Sequence, residues 1–433
     1  MILHSLFSDH MVIQRDKPIY LRGMGAGLVS VTFMGKTYEH FSKGGDWMIE
    51  LPAQTAGGPY EMTVNLDGEV RTITDIMVGE VFIAGGQSNM QMGLGESVPP
   101  RDGIEDCPLV RYYHTRRPEI APRQLGEYWS IATKEKAPAM SAVAWVAATK
   151  FAKEKNIAVG IVTAFQGAAI LQSYIRRDLL MAHPAGHVFT PRYGEYMMAH
   201  TIWSPRGMLY DLQIRHLAPL SVRAVLWYQG ESNAHPIEAK MFTDLMRLLM
   251  QCFREAFCDP ELPFIQVQLA PHGRRGYNTT IGREMQWKAS GELPGLAIVT
   301  IGDVGDYDNI HPPRKEQVGD RVYRAIRHTV FGETDIPYLG PVKKECIYEG
   351  NTVTVTFDHV EGGLTTDGEI DNFYLLDEAG ERHLATCRIE GETLVATADI
   401  PCAVGAEFGM EPFNEMHLFN GETLPAVEFE DHI

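Results

Sequence analysis

Residues 78–93 read VGEVFIAGGQSNMQMG, and the fold follows from this stretch. Val78, Val81, Phe82, Ile83 and Ala84 make an apolar run of the kind buried on both faces of a parallel sheet. Gly85 and Gly86 break the run, and a polar segment carrying Ser88 follows at the carboxyl end of the strand. Open α/β sheets bind their ligands at that end. Two readings of Ser88 stand side by side: a nucleophile exposed at a strand-to-helix turn, or the N-cap of the helix that follows. The segment Gly86-Gln87-Ser88-Asn89-Met90 lacks the G-x-S-x-G pattern of the nucleophile elbow.

Outward from this strand, NIAVGIVTA (156–164), SVRAVLWYQG (221–230), LPFIQVQLA (262–270) and PGLAIVTIG (294–302) repeat the apolar pattern. Between them lie amphipathic helix candidates, MSAVAWVAATKFAKEK (140–155), IEAKMFTDLMRLLMQCFREAF (237–257) and RKEQVGDRVYRAIRHTVF (314–331). Strands alternating with helices over 77–331 predict an α/β doubly wound parallel sheet. Residues 1–76 and 332–433 carry instead short alternating segments such as DWMIELP, YEMTVNL and TVTVTFDHV, separated by Gly-rich turns. Both read as antiparallel β-domains flanking the central layer.

Composition narrows the function classes. Of 433 residues, 38 are Lys or Arg and 56 are Asp or Glu, a formal charge of −18. No basic run is present, so a nucleic-acid partner is not expected. The six cysteines are scattered without a CxxC pair, which predicts free thiols and a reducing, cytoplasmic setting. No signal-like or membrane-spanning run is visible, and no membrane partner is expected. His183 and His187 are separated by Pro184 and Gly186, which breaks the helix a zinc HExxH site requires, so neither metal nor cofactor is expected. Oligomeric state is not legible.

Two further strand ends carry candidate chemistry. After SVRAVL comes WYQGESN (227–233), where Asn233 has the side-chain amide that can hold a developing oxyanion without titrating. The other reading has Ser232 and Asn233 capping the loop. After LAIVTI comes GDVGDYDNIHPPRKEQVGDRV (302–322), with Asp308 and His311 three apart and Pro312 and Pro313 stiffening the turn. A carboxylate held against one imidazole nitrogen fixes the tautomer while the other nitrogen takes a serine proton. Alone, an Asp-x-x-His is also an ordinary solvated loop. The order Ser, Asn, Asp, His at successive strand ends favours catalysis.

These motifs together, LFSDHMVIQRDKPIYLRG, AGGPYEMTV, VGEVFIAGGQSNMQM, LWYQGESN and IHPPRKEQVGDR, resemble the sialate O-acetylesterase family of carbohydrate esterases, within the SGNH/GDSL hydrolase superfamily. The resemblance covers residues 5–331 and implies an SGNH-like catalytic layer acting on an O-acetylated carbohydrate. It implies Ser88 as nucleophile, His311 as base, and an oxyanion hole from the Ser88 and Gly167 backbone N–H groups with Asn233. Asp308 is the best candidate for the acid, with Asp303, Asp306 and Glu231 as alternates, because Asn309 stands where the family often has Asp. Gln87, Gln229, Glu231 and Arg283 are candidate substrate contacts, Arg283 for a substrate carboxylate; an exposed helix arginine paired with a neighbour is its other reading.

Phe165-Gln166-Gly167-Ala168-Ala169 replaces the Trp-Gly-Gly-Thr-like stretch of family members, which leaves the sugar open. O-acetyl sialic acid follows from the family name. Acetylated xylan or mannan fragments compete with it, and a catalytically inactive carbohydrate-binding protein is the reading from a different class.

Overall fold

The apolar run around Phe82 is the carboxyl end of one long strand, Glu69–Gly86, whose last nine residues are all buried. In the computed structural model, residues 1–115, 127–188, 190, 194–195, 198–273 and 279–433 are described. They divide into two compact units, Met1–Ser232 with Asp244–Ile265, and Asn233–Thr243 with Gln266–Ile433.

The first unit is organised by Glu69–Gly86. Its amino-terminal part pairs antiparallel with Gly57–Leu66, which itself lies against Ile19–Phe33 and, beyond it, Lys36–Leu51. Its carboxyl part lies parallel between Val159–Phe165 and Ala224–Tyr228. Cys107–His114 extends the parallel set beside Val159–Phe165 and carries Tyr128–Ala132 antiparallel on its outer side. The sheet is therefore mixed, where the apolar runs alone predicted a parallel layer. The parallel strands are buried at nearly every position, as the run pattern requires.

Helix Ala142–Lys155 starts where the Ser141 hydroxyl accepts the Ala144 N–H at 3.3 Å and stops at Asn156 in a left-handed conformation. Phe253, on helix Phe242–Ala256, sets its ring 6.0 Å from Trp227 and 5.6 Å from Phe264. Trp227 also meets Tyr174 edge-on at 5.1 Å and is fully buried, so it belongs to the core.

The second unit contains helices Thr279–Glu292 and Lys315–Ala325 with strand Leu296–Val299. Beyond Pro341 it is antiparallel throughout. One four-stranded sheet runs Val342–Glu349, Thr352–Asp358, Thr393–Thr397, Thr386–Glu390, and another runs Arg382–Leu384, Phe373–Leu376, Gly405–Phe408, Phe429–His432. Val353, Val355, Phe373, Phe408 and Phe429 from both sheets share one hydrophobic core. Among the described residues no helix is long and apolar enough to cross a membrane.

Candidate functional site

In the first unit the ends of three parallel strands bring Gln87, Ser88, Gly167, Gln229 and Glu231 together. Gly86 makes the turn possible. Its φ is +130°, and a Cβ there would lie 2.1 Å from the Tyr228 carbonyl oxygen, so only glycine lets the strand end approach its neighbour so closely. Ser88 opens a single helical turn, Ser88–Gln91, and is half-buried. A Cβ built on Gly167 would lie 4.0 Å from the Ser88 Cβ, which puts the Gly167 backbone directly beside the serine.

Gln87 does not cap the turn with its side chain. Its amide oxygen instead accepts the Gly230 and Ser232 N–H groups, each at 3.3 Å, tying the serine loop to the WYQGESN loop. The Asn89 amide donates to the Glu231 carboxylate, a second tie between the same loops. Tyr228 is enclosed beneath them, and burial, with the Glu231 charge nearby, holds its phenol well above the usual tyrosine range.

The loop 165–169 is held through its carbonyls. Gln229 Nε2 donates to the Ala169 oxygen at 3.1 Å, and Gln213 Nε2 to the Phe165 oxygen at 3.3 Å. Gln213 rides on a π-helical turn, Tyr210–Ile214, a local widening that often accompanies functional sites. Ala168 adopts a left-handed φ of 56° within this loop. The Gly167 N–H, expected as an oxyanion donor, is itself engaged: it donates to Gln91 Oε1 at 2.8 Å.

Asn233, Arg283, Asp308 and His311 belong to the second unit. Asn233 is buried at the end of the 3₁₀ turn Glu231–Asn233. His311 is half-buried and Asp308 exposed. The expected Asp308–His311 hydrogen bond is not made among the described residues. Asp308 donates its backbone N–H to the Asp306 carboxylate at 3.0 Å, and Asn309 Oδ1 accepts the His311 N–H at 2.9 Å, so side-chain-capped turns shape this loop. Of the alternates, Asp303 grips Arg321 through both oxygens at 2.6 and 2.7 Å, Asp306 caps the Asp308 and Asn309 N–H groups, and Glu231 holds Asn89.

Arg283 departs furthest from expectation. It is 0% exposed. Its guanidinium donates to Glu428 at 3.2 Å, to the Thr279 hydroxyl at 3.1 Å, and to the carbonyls of Gly409, Glu411 and Pro412. Every face of the fork is occupied by protein, so no edge is left to present to a substrate carboxylate. Gln87, Gln229 and Glu231 are likewise buried, and each makes a side-chain hydrogen bond within the loops.

Sequence reasoning missed Gln91 and Gln213. The position of Gln91, one helical turn after Ser88, was a usable signal; Gln213 had none, because its partner lies 48 residues away. It also missed a cavity of about 400 Å³ whose wall includes Gln91, Glu96, His114, Thr115, Thr163 and Phe165. A somewhat larger cavity, about 470 Å³, lies among His4, Arg22, Trp47 and His216, but none of the candidate catalytic residues lines it.

Comparison with known proteins bears on this arrangement. A family model described as carbohydrate esterase, sialic acid-specific acetylesterase, matches residues 78–326. Sialate O-acetylesterase of Mus musculus is 22% identical over 426 residues, covering 82% of this chain and 78% of the mouse protein. The Homo sapiens enzyme of the same name is 22% identical over 390 residues, covering 79% and 73%. The crystal structure of a carbohydrate acetylesterase from Xanthomonas citri superposes with a TM-score of 0.86 at 28% identity, covering 99% of each chain.

Proposed function

Since the chain belongs to the sialic acid-specific acetylesterase family of carbohydrate esterases, we propose that it removes O-acetyl groups from carbohydrate through an acetyl-enzyme formed on Ser88. The observation that carries this reading is the half-buried Ser88 at a parallel strand end with the Gly167 backbone beside it. A nucleophile needs a donor there, where the carbonyl oxygen of an attacked ester gains charge.

In this mechanism His311 takes the Ser88 proton as Oγ attacks the acetyl carbonyl. The tetrahedral oxyanion is held by the Ser88 and Gly167 N–H groups and the Asn233 amide. The sugar hydroxyl departs with the proton from His311. Water then attacks the acetyl-serine, again deprotonated by His311, and acetate leaves as Ser88 regains its proton. Asp308 was the candidate orienting acid. Exposed and without a hydrogen bond to His311, it serves this mechanism as a charge on the loop and not as a buried partner of the imidazole.

The function is proposed for a carbohydrate ester without restriction to sialate, because the arginine expected to greet a sialate carboxylate is enclosed with Glu428. Acetate release from O-acetylated sialic acid, xylan and mannan fragments, in wild type and Ser88→Ala, tests the reading. Release by wild type that is lost in Ser88→Ala supports it. Binding of these carbohydrates with no release by wild type would favour the binding-protein reading instead.

A further inference from the structure

The Gly167 N–H has one acceptor in the described structure, the side-chain oxygen of Gln91 at 2.8 Å. That oxygen sits where the proposed mechanism requires the substrate's oxyanion to receive the same N–H. Gln91 and Ser88 lie on the same helical turn, and Gly167 is beside both: its Cβ position is 3.5 Å from Gln91 Oε1 and 4.0 Å from the Ser88 Cβ. An amide oxygen there stabilises the loop by satisfying the Gly167 donor. It also has to withdraw before Gly167 can act on an ester.

Gln91 also stands in the wall of the 400 Å³ cavity. That cavity is polar and shaped by groups fixed from behind. Glu96 accepts the Gly93 N–H at 3.0 Å, His114 Nε2 meets the Ser130 hydroxyl at 2.9 Å, and Thr163 Oγ1 accepts the Thr115 N–H at 3.0 Å. Thr115, in the same wall, keeps a buried hydroxyl with no hydrogen-bond partner among the described residues. A buried hydroxyl without a partner is costly unless a ligand completes it. The charged member of the described wall is the Glu96 carboxylate, which accepts hydroxyl hydrogens and repels a carboxylate.

We propose that this cavity receives the uncharged, hydroxyl-bearing ring of the acetylated sugar, and that Gln91 is a specificity-determining residue. A ring hydroxyl in the cavity takes the Gln91 oxygen as its acceptor, and the Gly167 N–H is released to the oxyanion. The proposal rests on the Ser88 esterase reading and deepens it: a sugar acetate completes the oxyanion hole, and an acetate ester without a sugar does so less well.

The test compares kcat/KM for 4-nitrophenyl acetate and for an O-acetylated neutral oligosaccharide in wild type, Gln91→Ala and Gln91→Met, the second nearly preserving side-chain volume. Freed of the competing acceptor, both variants gain roughly 2- to 10-fold on 4-nitrophenyl acetate, the worth of one net hydrogen bond. They gain nothing on the sugar acetate, so the ratio of sugar to aryl ester falls. A ratio that is unchanged or higher in Gln91→Met overturns the proposal. Ser88→Ala, assayed alongside on 4-nitrophenyl acetate, separates the two claims: wild-type rates there defeat the serine mechanism, whereas loss of rate with an unchanged Gln91→Met ratio defeats only the role of Gln91.

Discussion

At the scale of single residues, the account distinguishes groups that act on the ester from groups that shape the loops around it. Asn233 supplies a non-titrating donor in the proposed mechanism, and removal of one such donor costs about 100- to 1000-fold in turnover. Asn233→Ala is therefore expected to lose kcat by that factor while its thermal unfolding stays that of wild type; near-normal turnover removes Asn233 from the mechanism. Asp308 makes a sharper contrast. Where an acid orients the catalytic imidazole, its amide replacement costs about 10⁴-fold. Asp308 is exposed and unbonded to His311, so Asp308→Asn is expected to lose about tenfold or less in kcat. The serine loop was legible because an apolar strand ends on two glycines before it. The Asp-x-x-His spacing was legible too, but spacing alone cannot tell a carboxylate turned to the imidazole from one turned to solvent.

At the scale of elements, legibility followed whether the deciding contacts are local. The apolar run before Gly85 declares a buried strand without reference to anything distant. The change of pattern at residue 76 is equally visible, and Glu69–Gly86 runs straight through it, because what changes there is the strand's partner, from antiparallel Gly57–Leu66 to parallel Val159–Phe165. Helix Thr279–Glu292 shows the opposite limit. Nothing in TTIGREMQWKAS signals that Arg283 is enclosed, since, Thr279 apart, its partners are Glu428 and the carbonyls of Gly409, Glu411 and Pro412, more than 100 residues on. The element-scale prediction follows. Removing one partner of a buried ion pair costs about 3–5 kcal/mol, so Arg283→Ala is expected to lose that much unfolding free energy in urea, with KM for the acetylated sugar unchanged at temperatures where it is folded. A raised KM without loss of stability would return Arg283 to the substrate.

At the scale of the whole molecule, the net charge of −18 and the pH response set the working conditions. His4 is largely buried beside Arg22 and His216, and burial first, then the Arg22 charge, lowers its pKa to about 3. An unfolded histidine titrates near 6.5. The unfolded chain thus binds this proton first on acidification, and the contribution of His4 to stability, intact above about pH 6.5, is lost as the pH falls towards 3. His4→Gln is expected to show a shallower fall of Tm between pH 7 and pH 4 than wild type; parallel curves would contradict it. The central claim concerns Ser88 and the covalent acetyl-enzyme. Its most direct test treats the enzyme with a phosphonofluoridate and maps the adduct by peptide mass spectrometry while acetate release is followed. The account predicts one adduct, on Ser88, formed in step with loss of activity and absent from Ser88→Ala. An adduct on another residue, or acetate release that persists with Ser88 fully modified, would contradict it.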